Sequence, residues 1–340
     1  MTAQLYKSNG NQSLFDKQNA QEKLIVMGNP LEKLTKEIDF EMFRALLESK
    51  LINTTKKTNA GAKPYDYVMM FKIMILQRYY GLGDTQVEYQ IYDRLSFKIF
   101  LGLASGDRIP DEKTIWAFRE NLTKLGLVDE LFALFTNYLE SKQLIINEGK
   151  IVDASFVIAP RQRNTRDENK SIKEGNGENL WVEKPNKKRH KDVHARWTVK
   201  NKEKFYGFKN HTKIDAKSKF IDNYTVTNAS VHDSQELNKL LTIKDANQNL
   251  YADSAYSGLP LKQVITSNNI KNMVHEKGYR KTPLTEMQKE NNKEKSKIRA
   301  RVEHIFGFME QSMNGLVVKS VGILRATGII GTGILSGENY

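Results

Sequence analysis

The hydrophobic period of this 340-residue chain changes once, at Gly149, and that single change limits the folds open to it. Before it, apolar residues recur at three and four positions. Phe40, Phe43, Leu46 and Leu47 make one stripe, 67–80 reads as a long apolar helix ending at Gly81-Leu-Gly83, and Ile115, Phe118 and Leu122 make another stripe behind Pro110-Asp-Glu112. Asp84 is expected to cap the helix 85–93, since a carboxylate accepts the unpaired amides of a first turn. After Gly149 come short β-branched and aromatic runs at 151–158, 205–215, 220–227, 250–252 and 270–275. Helical stretches fall at 234–241, 259–266 and about 285–309.

The resulting order is strand, strand, strand, helix, strand, helix, strand, helix. It is that of a ribonuclease-H-like α/β fold: a mixed sheet covered by helices. The expected organisation is a polar arm (1–37), an all-helical N-terminal domain (38–145), and a ribonuclease-H-like catalytic domain (146–328) carrying a basic hairpin insertion (159–219). A glycine-rich C-terminus (329–340) follows, and Gly328 just before it with Gly331, Gly333 and Gly337 within it are each expected to weaken a helix by about 1 kcal/mol. The 49 residues between Asp253 and Glu303 leave no room for a large inserted domain.

Three acids stand in distinct settings: Asp153 inside the first strand, Asp253 just past the fourth, and Glu303 in the last helix. A carboxylate placed in a buried strand costs stability unless a cation compensates it. Open α/β sheets gather their sites at one sheet end, so acids distant in sequence are expected to meet there. The chain has no cysteine, which excludes disulfides and thiolate metal sites, and oxygen ligands suit magnesium. His190 and His194 are too isolated to argue for zinc.

A net charge of +13 favours a polyanionic partner. Between 184 and 219 there are 13 Lys and Arg against 3 acids, interleaved with Trp197, Phe205, Tyr206 and Phe208. This pattern suits a phosphate backbone and unstacked bases. Candidate DNA contacts are Lys188, Arg189, Lys191, Trp197, Lys200, Lys209, His211, Arg299 and Arg301. For Lys209 and His211 a structural hydrogen bond is equally open, and Trp197 either stacks on a base or anchors the hairpin. Asp233 is expected to cap the helix at 234–241 and is the substitute should Asp253 not serve. No apolar run approaches the roughly 18 residues that span a bilayer, and the N-terminus lacks a secretory core, so the expected location is cytoplasmic and nucleoid-associated.

Several ordered words carry a family resemblance: Val152-Asp-Ala154, Lys191-Asp-Val-His-Ala-Arg-Trp197, Tyr206-Gly-Phe-Lys-Asn-His211, Val226-Thr-Asn-Ala-Ser-Val-His-Asp-Ser234, Tyr251-Ala-Asp-Ser-Ala-Tyr256 and Arg299-Ala-Arg-Val-Glu-His-Ile-Phe-Gly307. The helical half adds Tyr80-Gly-Leu-Gly-Asp-Thr-Gln-Val-Glu88, Asp93-Arg-Leu-Ser-Phe-Lys-Ile-Phe-Leu-Gly102 and Pro110-Asp-Glu-Lys-Thr114. Together, over about 38–328, they resemble bacterial insertion-sequence transposases of the DDE type, in particular the IS-five branch.

The resemblance implies a Mg2+-dependent DNA transposase, with Mn2+ as a substitute. It would bind the terminal inverted repeats of its element, cut the ends, and transfer the 3′-hydroxyls to target DNA without a covalent enzyme intermediate, as a homodimer in the synaptic complex. Asp153, Asp253 and Glu303 match the family's catalytic, metal-binding triad. Arg299, one turn before Glu303, is expected to contact a DNA phosphate or support that glutamate. Ser296 and Glu310 stand where the family often carries tyrosine and lysine. Two rivals share much of this pattern: a structure-selective nuclease on the same fold, and an inactive or truncated transposase-derived DNA-binding protein, to which the glycine-rich C-terminus lends support.

Overall fold

The structure is a computed structural model that describes residues 13–52, 63–104, 106–200, 202–311, 313, 315 and 317–337. Its N-terminal part is helical: α1 (Asp16–Val26), α2 (Pro30–Glu37), α3 (Arg44–Leu51), α4 (Tyr67–Tyr79), α5 (Asp84–Asp93), α6 (Leu95–Leu101), α7 (Glu112–Lys124) and α8 (Leu127–Ser141). Local chemistry sets several starts. Asp66 accepts the Met69 amide at 2.9 Å to begin α4, and Asp111 accepts the Thr114 amide at 2.7 Å to begin α7. α4 is buried nearly all round, which explains its continuous apolar run.

Two expectations change here. The segment before residue 38 is not wholly a polar arm, because α2 buries Leu31 and Leu34 in the helical core; residues 1–12 lie outside the described residues. Asp84 is not the cap of α5. That position belongs to Gly83, and Asp84 instead receives both Arg119 guanidinium nitrogens at 2.6 and 2.7 Å, with Gln77 Nε2 at 2.7 Å. A two-pronged charged partner outcompetes a single amide.

Among the described residues, six strands form one mixed sheet: β1 (Lys150–Ile158), β2 (Arg196–Lys200), β3 (Glu203–Asp215), β4 (Ile221–Asn228), β5 (Asn249–Tyr251) and β6 (Lys271–Asn272). β1 is central, antiparallel to β3 and parallel to β5, which pairs in parallel with β6. The long β3 pairs with β2 over its first residues and with β4 from Phe208 onward. The order β4-β3-β1-β5-β6 is that of the ribonuclease-H-like fold. Short apolar runs account for β1, β4 and β5, but β2 lies in the polar stretch where no strand was expected. That stretch also holds α9 (Arg166–Lys173), opened by a reciprocal Thr165–Glu168 cap, and α10 (Pro185–Arg189).

Alternation along β1 divides the core. Ile151 joins a large cluster that merges with the helical domain, while Val152 joins a second with Leu237, Leu250 and Tyr256. The sheet is covered further by α11 (Leu237–Leu240), α12 (Leu259–Ser267), α13 (Glu286–Arg299), α14 (Arg301–Gln311) and α15 (Ile323–Gly337). A buried ionic network ties the early part of β1 to its neighbours. Lys150 Nζ reaches Asp222 at 2.5 Å and Asp215 at 3.6 Å; Lys213 Nζ reaches Asp245 at 2.6 Å and Asp222 at 3.3 Å. Burial pushes the Asp222 carboxyl upward against the pull of Lys213 and Lys150. No helix among the described residues is long and apolar enough to cross a membrane.

The C-terminal expectation is overturned most clearly. The glycine-rich segment is the buried helix α15, which packs against α4, α7, α8 and β4. Its glycines permit that approach. A Cβ at Gly331 would overlap the Tyr224 hydroxyl and lie 2.7 Å from Val128 Cγ1, and one at Gly328 would lie 2.9 Å from Thr123 Oγ1. Tyr224 is itself fixed by a 2.5 Å hydrogen bond from its hydroxyl to Asp129. Packing thus offsets the helix propensity that glycine forfeits.

Gly331→Ala is expected to destabilise the protein by about 1–3 kcal/mol in urea unfolding, the overlap outweighing alanine's helix advantage. Gly307→Ala in α14, where an added Cβ meets nothing within 4 Å, should instead stabilise by about 0.5–1 kcal/mol. Adding Tyr224→Phe should return part of the Gly331→Ala loss; equal behaviour of the two alanine variants would contradict the close packing.

Candidate active site

Parallel register brings the first two acids together. The last paired position of β1 and β5 is Ile151 with Tyr251, and two residues further on each strand lead to Asp153 and Asp253. Asp153 is largely buried, and its Oδ1 accepts the Ala154 amide at 2.8 Å. Burial raises the Asp153 carboxyl above the usual range, partly countered by Ala154 and Arg299, and the Asp253 charge raises it further. Asp253 ends the strand and accepts the Ala255 amide at 2.8 Å, capping the turn Ser254–Tyr256.

Glu303 stands apart. It lies on α14 with 65% of its side chain exposed, and Arg299, the last residue of α13, bridges the gap. Arg299 Nη1 donates to Asp153 Oδ2 at 2.8 Å and Nη2 to Glu303 Oε1 at 3.4 Å. The expected sharing of a helix face by Arg299 and Glu303 holds across the break at Ala300. The expected convergence of three carboxylates differs: among the described residues no three His, Cys, Asp or Glu side chains are grouped to hold a metal. A guanidinium lies between the first and third acids and provides the positive charge that a buried carboxylate requires.

Asp153 and Asp253 remain a fitting pair for a hard divalent cation. Both are oxygen donors, one inside β1 and the other just past its parallel neighbour β5, and their mutual repulsion favours a shared positive charge.

Around the pair are residues that the sequence did not single out. Tyr256 is buried and its hydroxyl has no partner among the described residues. Burial first, then the Asp233, Asp153 and Asp253 charges, raise its phenol well above the usual range, so it remains protonated. It closes the quoted 251–256 word, which was the available signal. His275, just beyond β6, lies 3.3 Å from Ser296 Oγ. Burial and the neighbouring Arg299 and Lys295 hold its imidazole below the usual range against the pull of Asp253.

Asp233 does not cap the turn before α11. His232 does, while Asp233 accepts from Lys209 Nζ at 2.8 Å, because a buried ammonium needs a counter-charge more than an exposed turn needs a cap.

The expected DNA contacts divide by exposure. Arg189, Trp197 and Lys200 are exposed. Trp197 packs 5.0 Å from Tyr206 under the Arg161 guanidinium, and Lys200 lies over Phe156, which stacks on Phe205 at 4.2 Å. Lys200 also contributes to the field at Asp153. Lys188 and Lys191 are half-buried and brace the insertion, Lys188 on the Glu178 carbonyl at 2.6 Å and Lys191 on Asn164 at 3.0 Å. Three residues are turned inward. Lys209 also binds the Val231 carbonyl at 2.7 Å, His211 Nε2 meets Thr227 Oγ1 at 2.8 Å, and Arg301 donates to the Ala216 carbonyl at 2.5 Å. β3 is covered on both faces from Tyr206 to Asp215; Lys209, His211 Nε2 and Lys213 meet protein partners there, whereas the Tyr206 hydroxyl, the Asn210 amide, the Thr212 hydroxyl and His211 Nδ1 have none among the described residues. For Lys209 and His211 the structural hydrogen bond is therefore what the fold provides.

A family model described as a transposase DDE domain matches residues 147–335, and another described as a transposase domain (DUF772) matches residues 19–121. A solved structure described as the cryo-EM structure of piggyBac transposase synaptic complex with hairpin DNA superposes with a TM-score of 0.44 at 13% identity, over 90% of this chain and 73% of that one.

His211 provides a test of the buried arrangement. Burial holds its imidazole down at about 4, so the folded state disfavours the charged form. Its contribution to stability is full above pH 6.5 and is lost as pH falls from 6.5 through 4. In His211→Gln the loss of unfolding free energy over that window should shrink by on the order of 3 kcal/mol. An unchanged pH dependence in urea titrations would show that the imidazole is open to protonation in the native state.

Proposed function

The chain belongs to the transposase DDE-domain family, and from that membership we propose that it is a DNA transposase of the IS-five branch. It binds the terminal inverted repeats of its element, cleaves at the ends, and transfers the freed 3′-hydroxyls to target DNA. The observation that carries this reading is the placement of Asp153 within β1 and Asp253 just past the adjacent parallel β5, each two residues beyond the Ile151–Tyr251 pair, with Glu303 one guanidinium away.

Asp153 and Asp253 would hold Mg2+, or Mn2+ in its place, and Glu303 would complete the set when Arg299 releases it. When bound there, such a cation would supply positive charge against the negative charge that develops on the phosphoryl oxygens. Arg299, once displaced, keeps its fork of donors within reach of a phosphate. Lys200, Arg189 and Trp197 present cations and an aromatic face to the strand outside the carboxylates. Synapsis of two ends favours a homodimer. The rival reading of a non-catalytic DNA-binding protein rests on the glycine-rich C-terminus, which forms the buried helix α15.

Incubating the protein with Mg2+, a labelled inverted-repeat end and a target plasmid should yield joined product. Asp153→Asn should abolish both cutting and joining while leaving the affinity for the end within about twofold of the parent. Cuts without joining would identify a nuclease instead, and retention without cuts a DNA-binding protein.

A further inference from the structure

A second positively charged site lies away from the carboxylates, in the seam between the helical domain and the segment joining α14 to α15. It is a cavity of about 470 Å3 walled by α4, the Gly81–Gly83 loop, α5 and α7 on one side and by Met313, Gly315, Val317, Lys319 and Ser320 on the other. That volume is within the range of ordinary ligand sites, about 300–1,000 Å3. The charged residues of its wall are Arg78, Arg119, Lys319 and Asp84, three positive against one negative.

Asp84 is already committed. Arg119 takes both of its oxygens, and Gln77 takes a further hydrogen bond. Arg78 is different. It sits half-buried in the last turn of α4, and among the described residues its guanidinium has no hydrogen-bond or ion-pair partner. Burial, together with the neighbouring Arg119 charge and against the pull of Asp84, lowers Arg78 to about 10, so it remains charged at neutral pH. The C-terminal carbonyls of α4 compensate part of this charge. The remaining donors face the cavity, where the Lys319 ammonium and the amide-bearing start of α5 add to the same field. An unpaired guanidinium in a recess is costly unless a ligand completes it.

We propose that this cavity binds a phosphate group, supplied by the backbone of a DNA strand that crosses the seam, with Arg78 as its principal contact. The phosphate provides what Arg78 lacks: two acceptor oxygens in the geometry of a guanidinium fork. The site also gives the Tyr80–Glu88 word a physical role, since its glycine loop and the start of α5 form one wall. The inference rests on the reading of the chain as a DNA transposase but adds a contact outside the carboxylate site.

The test uses the full chain and its Arg78→Gln and Arg78→Lys variants, with binding to an inverted-repeat duplex and to an unrelated duplex measured across a salt series. Arg78→Gln should weaken both duplexes to the same extent and reduce the slope of log K against log salt by about 0.9, the release of one phosphate's counterion; Arg78→Lys should restore the slope. The Tm of Arg78→Gln should be unchanged or higher, because an unpaired charge is removed, and a fall would assign Arg78 a structural partner and overturn the proposal. Calorimetric titration with inorganic phosphate separates the sources. Arg78-dependent binding of free phosphate with unaltered DNA affinity and slope would make the cavity a small-anion site and overturn the DNA assignment. Binding by the unmodified chain with no response to Arg78→Gln removes only the cavity proposal, whereas failure of the unmodified chain to bind either duplex removes the transposase reading with it.

Discussion

The close approach of α15 to its neighbours is the contact on which the rest of the architecture depends. This helix touches α4, α7 and α8 of the helical domain and β4 of the sheet, so a single element joins the two halves into one core. It can do so because Gly331 and Gly328 present bare backbone to Tyr224, Val128 and Thr123. Interiors packed at crystal-like density leave no slack for even one added methyl at such points. The seam that α15 closes also forms part of the wall of the cationic cavity, through Ile329. Fold and second site therefore share one geometric cause.

Electrostatics follows a consistent logic across the molecule. Buried and half-buried acids are matched by cations: Asp84 with Arg119, Glu120 with the more exposed Arg325, Asp233 with Lys209, and Asp215, Asp222 and Asp245 with Lys150 and Lys213. Such pairs contribute more to uniqueness than to raw stability, because desolvation offsets most of the attraction. The carboxylate site follows the same rule with a replaceable partner. Arg299 balances Asp153 from a helix end, where a small movement changes its reach. Arg78 departs from the rule, a cation facing a recess without a fixed partner among the described residues.

Much of the fold was legible in the chain because burial on one or both faces leaves a period. The apolar runs marked β1, β4 and β5, and the three- and four-residue stripes marked α4 and α7. What escaped was set by partners remote in sequence. β2 has the composition of a loop and becomes a strand only because β3 offers it an edge. Asp84 and Asp233 both carry the local signature of a cap, and both were drawn off it by a cation 35 and 24 residues away. α15 was misread for the same reason, since glycine lowers intrinsic propensity while its packing value resides in residues over 100 positions earlier.

The sequence alone determined the alternation of elements, the basic character of the chain and the positions of Asp153 inside one strand and Asp253 just past another, because each follows from local composition and spacing. Tertiary structure alone decided that those two acids lie level while Glu303 is held off by Arg299. It also decided that Lys209, His211 and Arg301 turn inward, and that Arg78 faces a cavity. The physical reason is that a side chain's charge and shape are written in its residue type, but its partner is chosen by competition among groups that only the folded chain brings within a few ångströms.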